Sequence, residues 1–411
     1  MNIWSSNLVY GIFAGYRRII MYKVGDQFQI TIEKMANRGK GLGRINDQVV
    51  FVPYSAPQDI LTVKATKVSK NFIDAEIIEI VKPSDLRIVP ACEYFSVCGG
   101  CHFQHLAYST QVSIKDQLVK ETLQRALGQI DESVFQSPIA SPQEWHYRNR
   151  IQIHIENNDF GFIKRNSNTV VPIKNCKIAE PALNKALTDL KNSNSVKGAE
   201  KIELLIDKNL QVHQRDLNSQ GQPVLFSQVN RFANQLLVDS VVDKIARFQP
   251  KSKVYDFYSG DGNFLSAISK KLPKNEVIGV ELNPGLVRLG RKEIADQKLN
   301  AHYVQSTVEN YLETVSISAG DTILLDPPRT GCDPKAMYVI GSAVRNKVVY
   351  VSCEPTTLAR DLRLLKETGR KWGLSFRLET VQTLDMFPQT EHVETVVEFS
   401  IDKIDTLSTT H

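Results

Sequence analysis

A cysteine stands at the tip of an apolar run in NKVVYVSCEPTTLARDL (346–362). Val348, Val349, Tyr350 and Val351 read as a buried strand, Ser352 and Cys353 close it, and a helical pattern begins after Pro355. At the start of a helix the dipole favours a thiolate, and a thiolate is a nucleophile. A second run, LLDPPRTG (324–331), ends on Asp326, with its loop stiffened by Pro327 and Pro328. A third, VYDFYSGDGNF (254–264), enters a turn where Gly260 and Gly262 let the backbone approach a ligand before a helix opens. Glu281 ends the next strand, VIGVE, 19 residues after Gly262, where a carboxylate can accept hydrogen bonds from ribose hydroxyls. Leu265 replaces the third glycine of a dinucleotide fingerprint. S-adenosylmethionine, which has no pyrophosphate to cradle, therefore fits better than NAD.

A thiolate beside a methyl donor suggests one chemistry. Pyrimidine carbon 5 is a poor nucleophile. Addition of a thiolate to carbon 6 makes the ring an enolate, and carbon 5 can then attack a sulfonium methyl. The carbon-5 proton must leave before the thiol is expelled, so a base is required. DMFPQTEHVETVVEF (385–399) offers Glu394, at the start of an apolar strand, with His392 two residues before it. Methyltransferases that act on base amino groups use a loop similar to DPPRTG but end it in a stacking aromatic; Arg329 stands here instead.

Four further cysteines, Cys92, Cys98, Cys101 and Cys176, follow a C-x5-C-x2-C pattern with a distant fourth. Four thiolates suit a tetrahedral zinc or an iron–sulfur cluster, and spacing does not separate the two. It is not the C-x3-C-x2-C run of radical enzymes. Cys332 reads as packing. Six cysteines in 411 residues are no secreted disulfide framework and suit a reducing cytoplasm.

Three kinds of element must position these groups. Residues 22–80 read as short alternating strands, a small OB-like barrel, with Gly39, Gly41 and Gly43 permitting bends among Arg38, Lys40 and Arg44. Residues 81–230 are mixed, with a helix at QVSIKDQLVKETLQRAL and strands around YRNRIQIHI. From 231 to 411, KVYDFYSG, EVIGVELN, DTILLDPP and KVVYVSCE alternate with helices, the pattern of a doubly wound α/β sheet. Fifty Lys and Arg against 45 Asp and Glu leave a net charge of +5, which permits a nucleic-acid partner without demanding one. No 18-residue apolar window predicts a membrane span. Residues 1–20 lack a signal-peptide pattern and read as an extension, with the fold expected to start near Met21.

DPPRTG, SCEPTTLARDL and DMFPQTEHVETV, in this order, closely resemble the RNA uracil-C5 methyltransferases, the iron–sulfur type with a TRAM domain. FSQVN (226–230) and YRNRIQIHI (147–155) look like family motifs as well. The resemblance covers nearly the whole chain from Met21. It implies a TRAM RNA-binding barrel at 21–80, a central domain with the cysteines at 81–230 and a Rossmann-like class I methyltransferase domain at 231–411. It implies that Cys353 is the nucleophile and Glu394 the base. Gln228, Tyr258, Asn263, Glu281 and Asp326 fall where the family contacts S-adenosylmethionine; Thr307 falls where the family has Asn. Phe226 would stack near the target uracil, and Arg329 would orient the loop or the RNA. Cys92, Cys98, Cys101 and Cys176 would carry a [4Fe–4S] cluster with a structural role. The implied substrate is 23S ribosomal RNA, with transfer RNA as the alternative, acted on by a monomer. Glu354 replaces the family's Asn after the nucleophile, and its charge is expected to raise the thiol pKa or alter RNA contacts. Ser259 replaces a Cys and is expected to be harmless. An RNA-binding protein with a silent methyltransferase fold is the competing class, opposed by the intact Cys353 and Glu394. An amino-group methyltransferase is opposed by Arg329.

Overall fold

The computed structural model describes residues 22–193, 200–218, 228–248 and 253–404; the expected 1–20 extension and Phe226 lie outside them. Two compact units emerge, 22–36 with 40–85, and 37–39 with 86–404. Among the described residues no helix is long and apolar enough to cross a membrane.

The first unit holds β1 (Gln27–Thr31), β2 (Lys34–Ala36), β3 (Lys40–Ile45), β4 (Gln48–Pro53), β5 (Ile60–Val68) and β6 (Phe72–Lys82). Their order in the sheet is β1-β5-β6-β4-β3-β2. The two edges, β1 and β2, are separated in sequence only by Ile32 and Glu33, so the sheet wraps round on itself. Ile32 N donates to Asp59 O and Glu33 N to Leu42 O across that junction. Period-2 alternation turns Leu61, Val63 and Ala65 inward, against Ile30, Val50, Val52 and Ile73. Gly41 and Gly43 are not bends, as their sequence context suggested. They lie inside β3, where a Cβ would strike the Ser55 side chain and the Thr31 carbonyl.

The second unit begins with α1 (Tyr108–Leu127). An antiparallel sheet follows, from β7 (Arg150–Glu156), β8 (Asp159–Ile163), β9 (Val170–Pro172), β10 (Lys201–Ile206) and β11 (Val212–Asp216), in the order β11-β10-β7-β8-β9. Helix α2 (Pro181–Asn192) covers it with Leu183, Leu187 and Leu190, one helical face.

A seven-stranded sheet forms the rest. In chain order come α3 (Arg231–Phe248), β12 (Lys253–Phe257), α4 (Asn263–Lys271), β13 (Glu276–Glu281), α5 (Pro284–Gln297), β14 (Ala301–Gln305), α6 (Val308–Thr314), β15 (Thr322–Leu325), α7 (Pro334–Gly341), β16 (Arg345–Ser352), α8 (Pro355–Lys371), β17 (Leu374–Leu384) and β18 (Glu394–Lys403). The strand order is β14-β13-β12-β15-β16-β18-β17. The first five are parallel and β18 is antiparallel to both its neighbours. The central strands are apolar on both faces because helices cover both. Tyr255, Ile323, Val348 and Tyr350 enter one core; Val254, Leu324, Val349 and Val351 enter the other. Helix α1 packs Val119, Leu123 and Leu127 into the first of these cores. Its Lys115 reaches Asp385 at 2.7 Å, a fully buried ion pair joining α1 to the segment before β18.

Candidate active site

The parallel strands all end on one side of the sheet, and chain order reverses between β12 and β15, the place where open α/β sheets bind ligands. Across that edge, in spatial order, stand Thr307, Glu281, Tyr258, Asp326 and Cys353, each at or just past the end of its strand. Glu394 completes the row from the opposite chain direction. Ser352 pairs with Thr395, so Cys353 and Glu394 occupy facing positions one step further out. A cleft of about 1430 Å³ runs along this edge. It is lined by Tyr258, Asn263, Glu281, Thr307 and Asp326, by Gln228, and by Arg329, Cys353 and Glu394. Its far end is lined by Cys92, Cys98, Cys101 and Cys176. Every described residue singled out from the sequence for a site role therefore faces one cavity.

The loop after β12 is held tightly. Tyr258, Gly260 and Gly262 all have positive φ, at 63°, 59° and 103°. Gly262 caps α4, and a Cβ there would meet the Tyr303 hydroxyl at 3.0 Å. Glu281 accepts from Gly260 N at 3.1 Å and from Asn283 N at 2.7 Å. Asn263 exchanges hydrogen bonds with Asn234. Ser259 Oγ donates to Asp256 at 2.8 Å and lies 3.1 Å from the Tyr303 hydroxyl. Thr307 caps α6 by accepting from Asn310 N, while Gln228 offers its carbonyl to Asn149 at 2.7 Å. Asn234, Asp256 and Tyr303 were not anticipated. Asp256 was legible in VYDFYSG as a polar residue within an apolar strand; the other two reach the loop only through tertiary packing.

Cys353 does not rest as a thiolate. Burial, then the nearby Glu394 and Asp326, push its thiol up to about 12, against the opposing pull of the Arg329 guanidinium, which also hydrogen-bonds to it. The helix-dipole expectation is thus overridden by desolvation and two carboxyls. Burial, with Asp326 beside it, lifts Glu394 well above the ordinary carboxylate range; Arg329 again opposes. Burial and Asp256 bring Asp326 up to about 8. His392 moves the other way, to about 3, through burial and the cations Arg329, Lys115 and Arg148. It is therefore neutral and a feeble base. Around the thiol, Glu394 and Asp326 are carboxyls that burial holds neutral, and a cation such as a sulfonium entering beside them would favour their ionisation.

Glu354 has a local role at the helix that follows the nucleophile. It is the N-cap of α8, accepting from Thr356 N at 3.3 Å and Thr356 Oγ1 at 2.7 Å. Asn is a preferred cap in the same position, so the replacement keeps the helix start satisfied. Glu354 is not among the groups that shift Cys353.

Cys92, Cys98, Cys101 and Cys176 line the far end of the cleft together. Burial raises Cys98 to about 11 and raises Cys101 and Cys176 too, and each of these three feels its neighbours' charge. Buried, mutually facing thiols are a donor set that gains from multivalent cations. Among the described residues no group of three or more His, Cys, Asp or Glu is gathered tightly enough for a single metal ion. A tetrahedral zinc with bonds of about 2.3 Å needs that grouping.

The tRNA (Uracil-5-)-methyltransferase family model matches residues 194–401, and the TRAM domain model matches residues 22–78. An uncharacterized RNA methyltransferase of Bdellovibrio bacteriovorus is 38% identical, over 92% of this chain and 96% of its own. The 23S rRNA (uracil(1939)-C(5))-methyltransferase of Dichelobacter nodosus is 30% identical, over 90% and 97%. Among solved structures, the tRNA (uracil-54, C5)-methyltransferase of Pyrococcus abyssi in complex with S-adenosyl-L-homocysteine has a TM-score of 0.68 and 23% identity. It covers 90% of this chain and 100% of that one, a likeness of fold.

Proposed function

The chain belongs to the RNA (uracil-5-)-methyltransferases, S-adenosylmethionine-dependent enzymes, with a TRAM domain at its N-terminal end, and we propose that it methylates carbon 5 of a specific uridine in 23S ribosomal RNA through a covalent adduct on Cys353. The observation that carries this reading is the facing pair, Cys353 and Glu394, at the edge that also presents Asp326, Tyr258 and Glu281. The target uridine is expected to be flipped out of structured RNA.

S-adenosylmethionine would lie along the sheet edge. Glu281 would take the ribose hydroxyls, and Tyr258, Asn263, Thr307, Gln228 and Asp326 would enclose the rest. The Cys353 thiol loses its proton to solvent and adds to carbon 6, with Arg329 stabilising the thiolate. Carbon 5 of the enolate attacks the sulfonium methyl; the C–C bond forms and S-adenosylhomocysteine departs. Glu394, which gives up its own proton to solvent when the sulfonium cation enters, takes the carbon-5 proton as a carboxylate, the C5=C6 bond re-forms, and Cys353 is expelled as a thiolate. Phe226 would stack near the uracil.

Cys92, Cys98, Cys101 and Cys176 would hold a [4Fe–4S] cluster, whose chemistry when bound is a cross-link of the far end of the cleft. Ribosomal RNA is preferred because the relative that carries that activity by name is the 30% identical one; the tRNA enzyme shares the fold at 23%. Free cysteines throughout suit a reducing cytoplasm, and a monomer suffices because one chain brings every group the reaction needs.

The test is incubation with S-adenosylmethionine and unmethylated ribosomal and transfer RNA, followed by nucleoside mass spectrometry. 5-Methyluridine is expected in ribosomal RNA and absent with Cys353→Ala. Product in transfer RNA alone would reassign the substrate, and product with Cys353→Ala would overturn the mechanism.

A further inference from the structure

The loop that carries Arg329 is fastened to helix α8 by a group of side chains that play no part in the reaction above. Asp361, 1% exposed, is the hub. Its Oδ2 accepts from Cys332 N at 2.8 Å and from the Tyr350 hydroxyl at 2.7 Å. Its Oδ1 accepts from Arg360 Nε at 2.8 Å and from a terminal guanidinium nitrogen of Arg360 at 2.6 Å. That nitrogen also donates to Thr330 O at 2.9 Å. Thr357 Oγ1 donates to Arg329 O at 3.1 Å. The turn itself is closed by Gly331 N donating to Pro328 O at 2.8 Å. Gly331 has φ +78°, and a Cβ on it would lie 2.5 Å from Asp361 Oδ2 and against Arg360.

A buried carboxylate with four hydrogen bonds is fully satisfied, and each ends on an element that borders the nucleophile. Tyr350 is in β16, three residues before Cys353, and Thr357, Arg360 and Asp361 are in the first two turns of α8, just after it. The other ends are on the backbone at 329–332. The arrangement thus fixes the separation between one strand–helix junction and one loop, and the groups on those two segments that face each other are Cys353 and Arg329.

We infer that Asp361, with Arg360, Tyr350 and Thr357, is a positioning device that holds the Arg329 guanidinium against the Cys353 thiol and so sets how readily that thiol ionises. The inference rests on the proposed role of Cys353 only for its catalytic meaning, not for its test. The titratable and charged groups that face the thiol are Glu394 from β18, Asp326 after β15 and Arg329 itself. Arg329 is the one of the three that favours ionisation, so a loop that moves away from the thiol weakens that pull.

The test is the pH dependence of Cys353 alkylation by iodoacetamide in the full chain, read peptide by peptide by mass spectrometry. Arg329→Gln, Asp361→Asn and Thr357→Val are compared with the parent. Arg329→Gln and Asp361→Asn are each expected to slow alkylation at pH 8 about tenfold, one pK unit. Thr357→Val, which removes a single hydroxyl on a helix flank and keeps the fold if Asp361→Asn does not, is expected to slow it about threefold. Superimposable profiles for Asp361→Asn and Thr357→Val on the parent, with Arg329→Gln shifted, would overturn the clamp. An unshifted Arg329→Gln would overturn it as well, because there would be no charge to position. Should Cys353→Ala still form 5-methyluridine, the proposed mechanism falls while the alkylation profiles keep their meaning.

Discussion

Burial opposes charge on both Glu394 and Cys353, and Arg329 pulls each of them the other way. A cation entering beside them favours the ionised forms that the reaction uses. If Glu394 takes the carbon-5 proton, Glu394→Gln stops elimination after the methyl has moved. Turnover is then expected to fall by about 10² to 10⁴, and a covalent protein–RNA species should accumulate as a retarded band on a denaturing gel. An unretarded, inactive variant would give Glu394 a different role. Asp326 makes a separate prediction about stability. Its pKa rises from 3.8 to about 8, so between those values the folded chain holds a proton that the unfolded chain has lost. The stabilisation is complete below about pH 4 and is lost as pH rises through 8. The melting temperature of the ligand-free protein should fall from pH 5.5 to pH 8.5, and Asp326→Asn should flatten that slope.

Helix α8 joins two jobs in one element. Its N-terminus follows the nucleophile, and its first two turns carry the residues that fasten the Arg329 loop. The cap at Glu354 sets where the helix begins. Glu354→Ala is expected to cost about 1 kcal/mol by removing that acceptor, whereas Glu354→Asn should melt with the parent. Thermal melts of the two variants decide this. Equal losses would mean that Glu354 acts by its charge and not as a cap. The turn between β12 and α4 is the other element under constraint. It concentrates three positive-φ residues and positions the methyl-donor site by backbone shape.

At the scale of the whole chain, one sheet edge gathers groups scattered over much of the sequence, from Gln228 to Glu394, and its cleft continues to the four cysteines. If those cysteines hold an iron–sulfur cluster, its loss should leave the sheet edge intact. Cys98→Ser is then expected to lose iron and visible absorbance and to melt lower, while S-adenosylmethionine affinity measured by calorimetry changes less than about twofold. A full iron complement in Cys98→Ser would remove that cysteine from the ligand set.

The barrel and the strands β12, β13, β15 and β16 of the doubly wound sheet were legible in the sequence because their signals are local. Alternation in β5, two-sided apolar runs in β15 and β16, and a glycine turn after β12 are properties of neighbouring residues. The same holds for Asp326 and Cys353, since the tip of a strand can be read from where an apolar run stops. What lay beyond reach was every property set by residues distant in the chain. Insertion of β18 between β16 and β17 brings Glu394 opposite Cys353, and no periodicity predicts that strand order. The glycines of β3 looked like bends because the groups they make room for come from elsewhere in the chain: Ser55, in the loop after β4, for Gly41, and the Thr31 carbonyl and Ile30 of β1 for Gly43. The thiol was expected to be ionised because the helix dipole is visible locally, but its pKa is governed by burial and by Glu394 and Asp326, which only the folded chain supplies. Sequence alone determined which chemical groups are present and which strand tips carry them; tertiary structure decided their partners and protonation, because electrostatics depends on distance in space.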